Sequence, residues 1–178
     1  MALRSTLKGG SEAGCEAGVF RHRDGWVLPA LLVTTQAGRD SVRWVEHGTL
    51  SRSRTHGFGL TREEVFANAG RALMSLMVDL NTIRPGEEVR VEAAGSNSPN
   101  LLVNWLSEIL YLFDAESWLF RDFELAGPTE RSAAGVARGE KFDRGRHQTK
   151  LLVKAITYHQ LALEETADGW RAQVYVDI

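Results

Sequence analysis

The sequence predicts an α+β fold in which two helices pack on a mixed or antiparallel sheet. Two long segments, 61–80 and 98–120, carry apolar residues at helical spacing. The other apolar segments after residue 40 alternate as strands do, and they are interleaved with the helices without strict alternation. A length of 178 residues suits one domain whose core needs no disulfide and no structural metal.

The first 40 residues differ in composition from the rest of the chain. The stretch LKGGSEAGCEAG is rich in Gly, Ser and Glu, which is typical of a flexible extension. The following VFRHRDGWVLPALLVTT holds one short strand or nothing regular, and its apolar run is too short to span a bilayer. We therefore divide the chain into an N-terminal extension, 1–40, and a folded domain, 41–178, and expect neither a targeting segment nor a membrane span.

The first predicted helix lies between two predicted strands. SVRWVEHG has the pattern of a strand, and EEVRVEAAG alternates as a half-buried strand does. Thr61 and Glu64 form a capping box at the start of the helix. Its buried face is predicted to consist of Val65, Phe66, Ala69, Ala72, Leu73, Leu76 and Leu80.

The second helix is predicted to be buried on several sides. Ser98 is its expected N-cap, and Pro99 takes the first helical position, where a missing N–H is not needed. Apolar residues go most of the way around this helix, which is the pattern of a helix enclosed by other elements. They are Leu101, Leu102, Val103, Trp105, Leu106, Ile109, Leu110, Leu112 and Phe113.

Four further strands are predicted in the second half of the chain: RDFELAG, SAAGVARGE, TKLLVKAITYHQLALEE and GWRAQVYVDI, the last two joined by a turn at 167–169. In the third of these strands, Lys154, Ile156 and Tyr158 are expected to share a face. In the last strand, alternation places these apolar residues on one face: Trp170, Ala172, Val174 and Val176. The opposite face then carries Arg171, Gln173, Tyr175 and Asp177.

Charge and cysteine content narrow the class of protein. A net charge of −2 argues against broad binding to the phosphate backbone of nucleic acids. The single cysteine, Cys15, excludes an intrachain disulfide and a zinc cluster, and we expect a cytoplasmic protein. The stretch GSNSPN lacks the lysine of a P-loop, so we expect no nucleotide bound to this chain.

Two carboxylates follow one another at the end of the sequence. Asp177 is predicted to point away from the core, and the terminal carboxylate of Ile178 follows it. Two such groups repel each other unless a positive charge lies between them. A hard cation with oxygen ligands would supply that charge. On pattern alone, the alternative is a solvated aspartate at the end of a terminal strand.

Three segments resemble the archease family. One is the helix TREEVFANAGRALMSLM. The second is LLVNWLSEILYLFDAESWLF, which is close to the family's Trp-Leu-x-Glu-Leu-Leu-Tyr-Leu-Phe-Asp stretch. The third is GRHQTKLLVKAITYHQLAL followed by GWRAQVYVDI, where the family carries Arg-His, Val-Lys-Ala-x-Thr-Tyr-His and an Asp-Ile end. The resemblance covers residues 42–178, with order and spacing kept.

The resemblance implies an archease-like single domain with an accessory role that is not enzymatic. Archeases assist the RNA ligase that joins 2′,3′-cyclic-phosphate and 5′-hydroxyl ends in tRNA splicing and RNA repair, by promoting its guanylylation and repeated turnover. The ligase is thus the expected partner, with RNA involved only indirectly and no membrane. Family members bind a divalent cation, commonly calcium, and by this resemblance the metal ligands are Asp177 and the terminal carboxylate of Ile178.

The sequence departs from the family at a further metal ligand, the Asp of a His-Thr-Ala-Asp segment. Here the region reads VEHGTLSRSRTHGFGLT, and an ungapped alignment on the helix places Arg52 at the ligand position. A two-residue shift matches His47 to the family's His and places Leu50 there, and Glu46 is then the nearest acid. One hypothesis is that Arg52 or Arg54 supplies the positive charge instead of a metal, since a guanidinium matches carboxylates bidentately.

Two alternative functions follow from other features. The changed His-Thr-Ala-Asp segment favours an archease-fold interaction module that has lost metal binding and ligase activation and serves another partner. A hydrolase that uses Asp177, His147 and Glu140 is the other alternative, although GEKFDRGRH is more typical of a solvated turn before a strand. The basic stretch SRSRTH indicates a solvated strand or loop, or a contact with an acidic partner surface or RNA phosphate.

Overall fold

The computed structural model describes residues 17–21, 27–31, 52–167 and 169–178, and of residues 17–21, 27–31, 52–54 and 56 it describes the backbone alone. Within these ranges the chain forms two α-helices, a short 3-10 helix and eight strands. The helices are α1, Arg62–Met77, and α2, Ser98–Glu116, with the 3-10 helix at Leu80–Thr82. The strands are β1 Ala17–Arg21, β2 Val27–Leu31, β3 Arg52–Gly59, β4 Glu87–Ala94, β5 Trp118–Leu125, β6 Ser132–Lys141, β7 Ala155–Thr166 and β8 Gly169–Asp177.

The strands pair antiparallel throughout the described ranges. They form a three-stranded sheet in the order β3-β8-β7, a second in the order β4-β6-β5, and the pair β1-β2. The predicted α+β class with antiparallel strands is confirmed. The fold differs from the prediction in having two three-stranded sheets in place of one sheet, because β5-β6 pairs with β4 and β7-β8 pairs with β3 instead of with each other.

Both helices contact both three-stranded sheets. Helix α1 packs on β3 and β5, and α2 packs on β4 and β7, so each helix connects the two sheets. The prediction that α2 is buried on several sides is confirmed by eight of its residues: Leu101, Leu102, Val103, Trp105, Leu106, Ile109, Leu110 and Leu112. The ring of Trp105 meets the edge of Phe123 from β5 at 6.4 Å between centroids, which ties α2 to the β4-β6-β5 sheet. Neither helix is both long and apolar enough to cross a membrane.

Helix α1 begins at the predicted cap. The Thr61 hydroxyl accepts a hydrogen bond from the Glu64 backbone N–H at 3.3 Å. The Glu64 carboxylate reaches back to the N–H of Leu60 at 2.7 Å, one residue earlier than a regular capping box. The predicted buried face is confirmed as far as Leu76, but Leu80 belongs to the 3-10 helix because α1 ends at Met77.

Helix α2 differs from the prediction at both ends. Its N-cap is Asn97, whose side chain accepts from the N–H of Asn100 at 2.9 Å, so Ser98 is a helical residue and not the cap. The helix was predicted to continue to residue 120, which is wrong. It ends at Glu116 because Ser117 adopts a left-handed conformation with φ of 59°, and the next residues pair with β6.

Several predictions fall on residues outside the described ranges. They include the strand SVRWVEHG and the domain boundary after residue 40. Within the predicted extension, the structure places two paired strands, β1 and β2, where the sequence suggested at most one. The flexibility predicted for residues 1–40 therefore stays a prediction.

A close approach between β5 and β6 explains a glycine and can be tested. A methyl group at Gly139 would collide with the backbone carbonyl oxygen of Leu119. We expect Gly139→Ala to lower the free energy of unfolding by about 1–3 kcal/mol, as overpacking does. At Gly86 a methyl group would meet no atom within 4 Å, so Gly86→Ala is the control and should stay within about 0.5 kcal/mol of wild type. Urea denaturation of both variants measures this, and equal stabilities would contradict the close approach.

Candidate functional site at the end of the last strand

Strand β8 lies at the centre of its sheet and carries Asp177 as its last residue. Its register places Asp177 opposite Arg52 on β3 and opposite Ala155 on β7. Residues directly opposite each other in an antiparallel pair are the nearest cross-strand neighbours. The fold therefore brings the acid of the candidate metal site next to the backbone position of Arg52, which lies at the other end of the domain's sequence.

The two faces of β8 are those predicted from alternation. Ala172, Val174 and Val176 are buried and contribute to the main hydrophobic core. Tyr175 and Asp177, on the opposite face, are half-buried. The prediction that Asp177 points away from the core is confirmed.

Lys154 contacts the end of β8 twice, from the residue just before β7. Its backbone N–H donates to the Asp177 carbonyl oxygen at 2.8 Å. Its side-chain ammonium donates to the main-chain oxygen of Ile178 at 3.2 Å. Both predicted ligand residues are thus adjacent to a lysine that the sequence analysis singled out only for its place on a strand face.

The donor atoms at this site fit a hard divalent cation poorly. Calcium takes about six to eight oxygen ligands, and carboxylates are preferred among them. In the described part of the chain, no three His, Cys, Asp or Glu residues are grouped so that they could hold a metal ion. Asp177 and Ile178 have an ammonium as neighbour instead, and Arg52 takes the cross-strand position. Because Glu46, His47 and Leu50 lie outside the described residues, the metal site at Asp177 and Ile178 stays a prediction.

The sequence left open whether the basic stretch SRSRTH is a strand or a loop, and the structure shows a strand, since residues 52–56 begin β3. Its alternate residues are in register with the outward-facing residues of β8: Arg52 with Asp177, Arg54 with Tyr175, and His56 with Gln173. These positions form one row across the two strands. A contact of this row with an acidic partner surface or with RNA phosphate stays a prediction.

A bulge interrupts β7 beside this row. Residues 158–161 lie opposite a single residue of β8, Val174. Within the bulge, Gln160 has a left-handed backbone with φ of 47°, which is unfavourable for a residue with a Cβ atom. Two hydrogen bonds hold it there: the Gln173 amide donates to its carbonyl oxygen at 2.9 Å, and the Tyr175 hydroxyl donates to its side-chain oxygen at 2.8 Å. The bulge is therefore stabilised by specific hydrogen bonds and is a defined part of this surface.

The bulge also changes where the neighbouring aromatic residues lie. Ile156 is buried, whereas Tyr158 is 58% exposed, so their predicted common strand face does not continue past the start of the bulge. The Tyr158 hydroxyl accepts a hydrogen bond from the Asn100 side chain at 2.6 Å, near the start of α2. His159 meets the ring of Tyr175 edge to face, at 5.2 Å between centroids.

The loop after β6 forms an ion-pair network away from β8. Arg146 makes a two-pronged contact with Glu140, at 2.6 Å and 3.1 Å, and also donates to Asp143 at 3.0 Å. These bonds from Arg146, helped by the backbone N–H of Arg84, lower the pKa of Glu140 to about 2. The pKa of Asp143 is also lowered, first by the backbone N–H of Gly145 and then by Arg146. The carboxylate at Glu140 is thus held ionised by its partners.

The buried side chain of His147 forms the inner part of this network. Its side chain is 0% exposed, and its Nδ1 accepts from the backbone N–H of Asp143 at 2.9 Å. The ring proton therefore lies on Nε2, which is 3.2 Å from the carbonyl oxygen of Thr82 and 3.3 Å from Glu140. Both ring nitrogens of His147 therefore have partners inside the protein, and the side chain is not in contact with solvent.

The hydrolase site considered from the sequence would need residues from two different sheets. Asp177 ends a strand of the β3-β8-β7 sheet, whereas Glu140 belongs to the β4-β6-β5 sheet. His147 is not the residue of a solvated turn either, since it fastens the loop to the 3-10 helix at Thr82. We interpret Glu140, Arg146 and His147 as residues that hold the loop after β6 in place.

Comparison with known proteins finds a family model and curated relatives that match most of the domain described above. The model of the archease protein family (MTH1598/TM1083) matches residues 53–178, which include β3 from its second residue, β4 to β8 and both helices. A protein archease from Methanosarcina barkeri is 40% identical over 125 residues, which are 68% of this chain and 86% of that protein. A protein archease from Pyrococcus abyssi is 37% identical over 142 residues, which are 76% of this chain and 99% of that protein.

A solved structure shares the fold. The solution structure of Methanobacterium thermoautotrophicum protein 1598 superposes with a TM-score of 0.57 and 27% sequence identity. The superposition covers 74% of this chain and 94% of that chain. The arrangement of two helices and two three-stranded antiparallel sheets is thus found in a second protein over nearly its whole length.

The ionised state of Glu140 makes a testable contribution to stability. Its pKa is lowered from 4.5 to about 2 in the folded chain, so its bonds stabilise the fold above pH 4.5, and this contribution is lost as the pH falls toward 2. We expect Glu140→Gln to be less stable than wild type at neutral pH. The difference should shrink as the pH falls from about 4.5 to 2.

Urea denaturation of wild type and Glu140→Gln across this pH range measures the effect. Glu130→Gln is the matched control, because Glu130 is an exposed residue of the turn between β5 and β6. Its stability should follow that of wild type at every pH. A difference between wild type and Glu140→Gln that stays constant down to pH 2 would contradict the proposed role of the ion pair.

Proposed function

The chain belongs to the archease family, and from this premise we propose that it is a non-catalytic accessory protein of an RNA ligase. In the finer form of this proposal, it is a cytoplasmic protein that promotes guanylylation and multiple turnover of the ligase that joins 2′,3′-cyclic-phosphate and 5′-hydroxyl ends in tRNA splicing or RNA repair. The observation that carries the proposal is the family match over residues 53–178, which includes every element that positions the end of β8.

The surface around the end of β8 supports contact with a partner protein. Lys154 is exposed, and it lies in the chain between two large apolar side chains that are also exposed, Leu152 at 65% and Tyr158 at 58%. Exposed apolar groups close to charged ones are typical of interaction surfaces. We therefore propose that the ligase contacts this surface, with Asp177 and Lys154 as its charged centre.

A second candidate function is favoured by one specific observation. Arg52 takes the position opposite Asp177, and the ungapped alignment with the family places a metal-ligating aspartate at residue 52. This change is what would be expected of an archease-fold interaction module that has lost ligase activation and serves another partner. The accessory role does not require a cation at Asp177 and Ile178. A divalent cation there, with calcium as the first candidate, stays a separate prediction.

Ligase turnover tests the proposal directly. The ligase from the same organism is mixed with excess RNA that carries 2′,3′-cyclic-phosphate and 5′-hydroxyl ends, and joinings per ligase molecule are counted with and without this protein. We expect a change from a single turnover to many, and an increase in guanylylated ligase. If the correctly folded protein gives no stimulation, the interaction-module alternative replaces the accessory role.

Two variants locate the activating surface. We expect Lys154→Ala and Asp177→Asn each to lower the stimulation by about tenfold, which corresponds to about 1.4 kcal/mol of lost interaction with the ligase. Glu165→Gln is the control, because Glu165 is an exposed acid of the same sheet near the opposite end of β7. Equal stimulation by all three variants and wild type would place the ligase contact elsewhere on the molecule.

A further inference from the structure

We infer that the Asp177 carboxylate at the end of β8 is neutralised by two cations of the chain itself, Arg52 and Lys154, in place of a divalent metal ion. The inference rests on the proposed function, because it predicts that the accessory activity does not depend on calcium. It also goes beyond that function, since it concerns the charge balance of the free protein. The family resemblance implies a metal ion here, so the inference describes a difference between this chain and its relatives.

Two observations, one from the sequence and one from the backbone, connect Arg52 with Asp177. Of the two alignments with the family, the ungapped one puts Arg52 where the family carries its metal-ligating aspartate, and the shifted one puts Leu50 there. The strand register, which depends only on backbone pairing, puts Arg52 directly opposite Asp177. The register therefore explains how an aspartate at position 52 and Asp177 could share a metal ion in relatives. In this chain, the shared position carries a guanidinium.

Arginine changes the chemistry of that position in two ways. A guanidinium has five N–H donors and no acceptor, so residue 52 cannot be a metal ligand. It also remains charged at any pH at which the protein is folded, so it repels a dication from the neighbourhood of Asp177. The same group attracts the Asp177 carboxylate as a cross-strand partner of opposite charge. One substitution therefore removes a metal ligand and supplies a replacement for the metal's charge.

Lys154 supplies the second positive charge. Its ammonium donates to the Ile178 oxygen at 3.2 Å, and its backbone N–H fixes the strand end through the Asp177 carbonyl oxygen at 2.8 Å. Asp177 carries a negative charge, and Lys154 and Arg52 together carry two positive charges. A dication would bring the same total charge. Lys154 alone is compatible with a bound metal, so Arg52 is the residue on which the inference depends.

The inference predicts that the protein does not respond to calcium, and that one substitution introduces a response. In a calorimetric titration of the full chain with calcium chloride, wild type should show no binding at micromolar to millimolar calcium. Arg52→Asp restores a carboxylate opposite Asp177 and should bind calcium. Its Tm should then rise by about 5–10 °C at about a hundredfold excess of calcium over its Kd.

Arg54→Asp is the matched control for this titration. It makes the same change of charge on the same strand, but its register partner is Tyr175 and not Asp177. It should therefore gain no calcium binding. Circular dichroism establishes that each variant is folded, and if Arg52→Asp does not fold, Arg52→Asn supplies an oxygen ligand without adding a negative charge.

The outcomes separate this inference from the proposed function. Micromolar calcium binding by wild type that disappears in Asp177→Ala would overturn the inference, and so would equal calcium responses of the two aspartate variants. Ligase stimulation by wild type that is the same in calcium and in chelator would support both proposals. No stimulation in either condition, together with calcium binding only by Arg52→Asp, would overturn the accessory role and leave the inference standing.

Discussion

The pairing of β8 on both of its edges is the constraint on which the rest of the domain depends. Because β8 is the central strand of its sheet, its register with β3 and β7 fixes which residues face the helices and which face outward. A slip by one residue would exchange the two faces, exposing Val174 and Val176 and burying Asp177. The hydrophobic core and the candidate site are thus set by the same hydrogen bonds.

Those parts of the fold that depend on local periodicity could be predicted from the sequence. The apolar spacing in α1 and the alternation in β4, β6 and β8 are local, and they were interpreted correctly. The start of α2 could not be decided in this way, because Asn97 and Ser98 are adjacent residues that both cap helices well. Its end depends on the pairing of Trp118 and its neighbours with β6, a contact distant in sequence.

The candidate site was predictable only in part for the same reason. Alternation was sufficient to place Asp177 on the outer face, but the contact of Lys154 with the strand end depends on how β7 meets β8. The burial of His147 depends on the 3-10 helix, which nothing in its own segment indicates. The bulge was only weakly indicated in the sequence. Residues 158–160, which lie between Ile156 and Leu161, are polar or aromatic and none of them is aliphatic.

The bulge in β7 has a consequence for how the protein behaves at high concentration. β7 is an outer strand of its sheet, and at twelve residues it is the longest strand described. A long outer strand with regular N–H and C=O groups is a template on which another chain can add a strand and begin to aggregate. The left-handed turn at Gln160 breaks that row near its middle, so an incoming strand would find only short segments to pair with. The same distortion that shapes this surface therefore helps to keep molecules apart in solution.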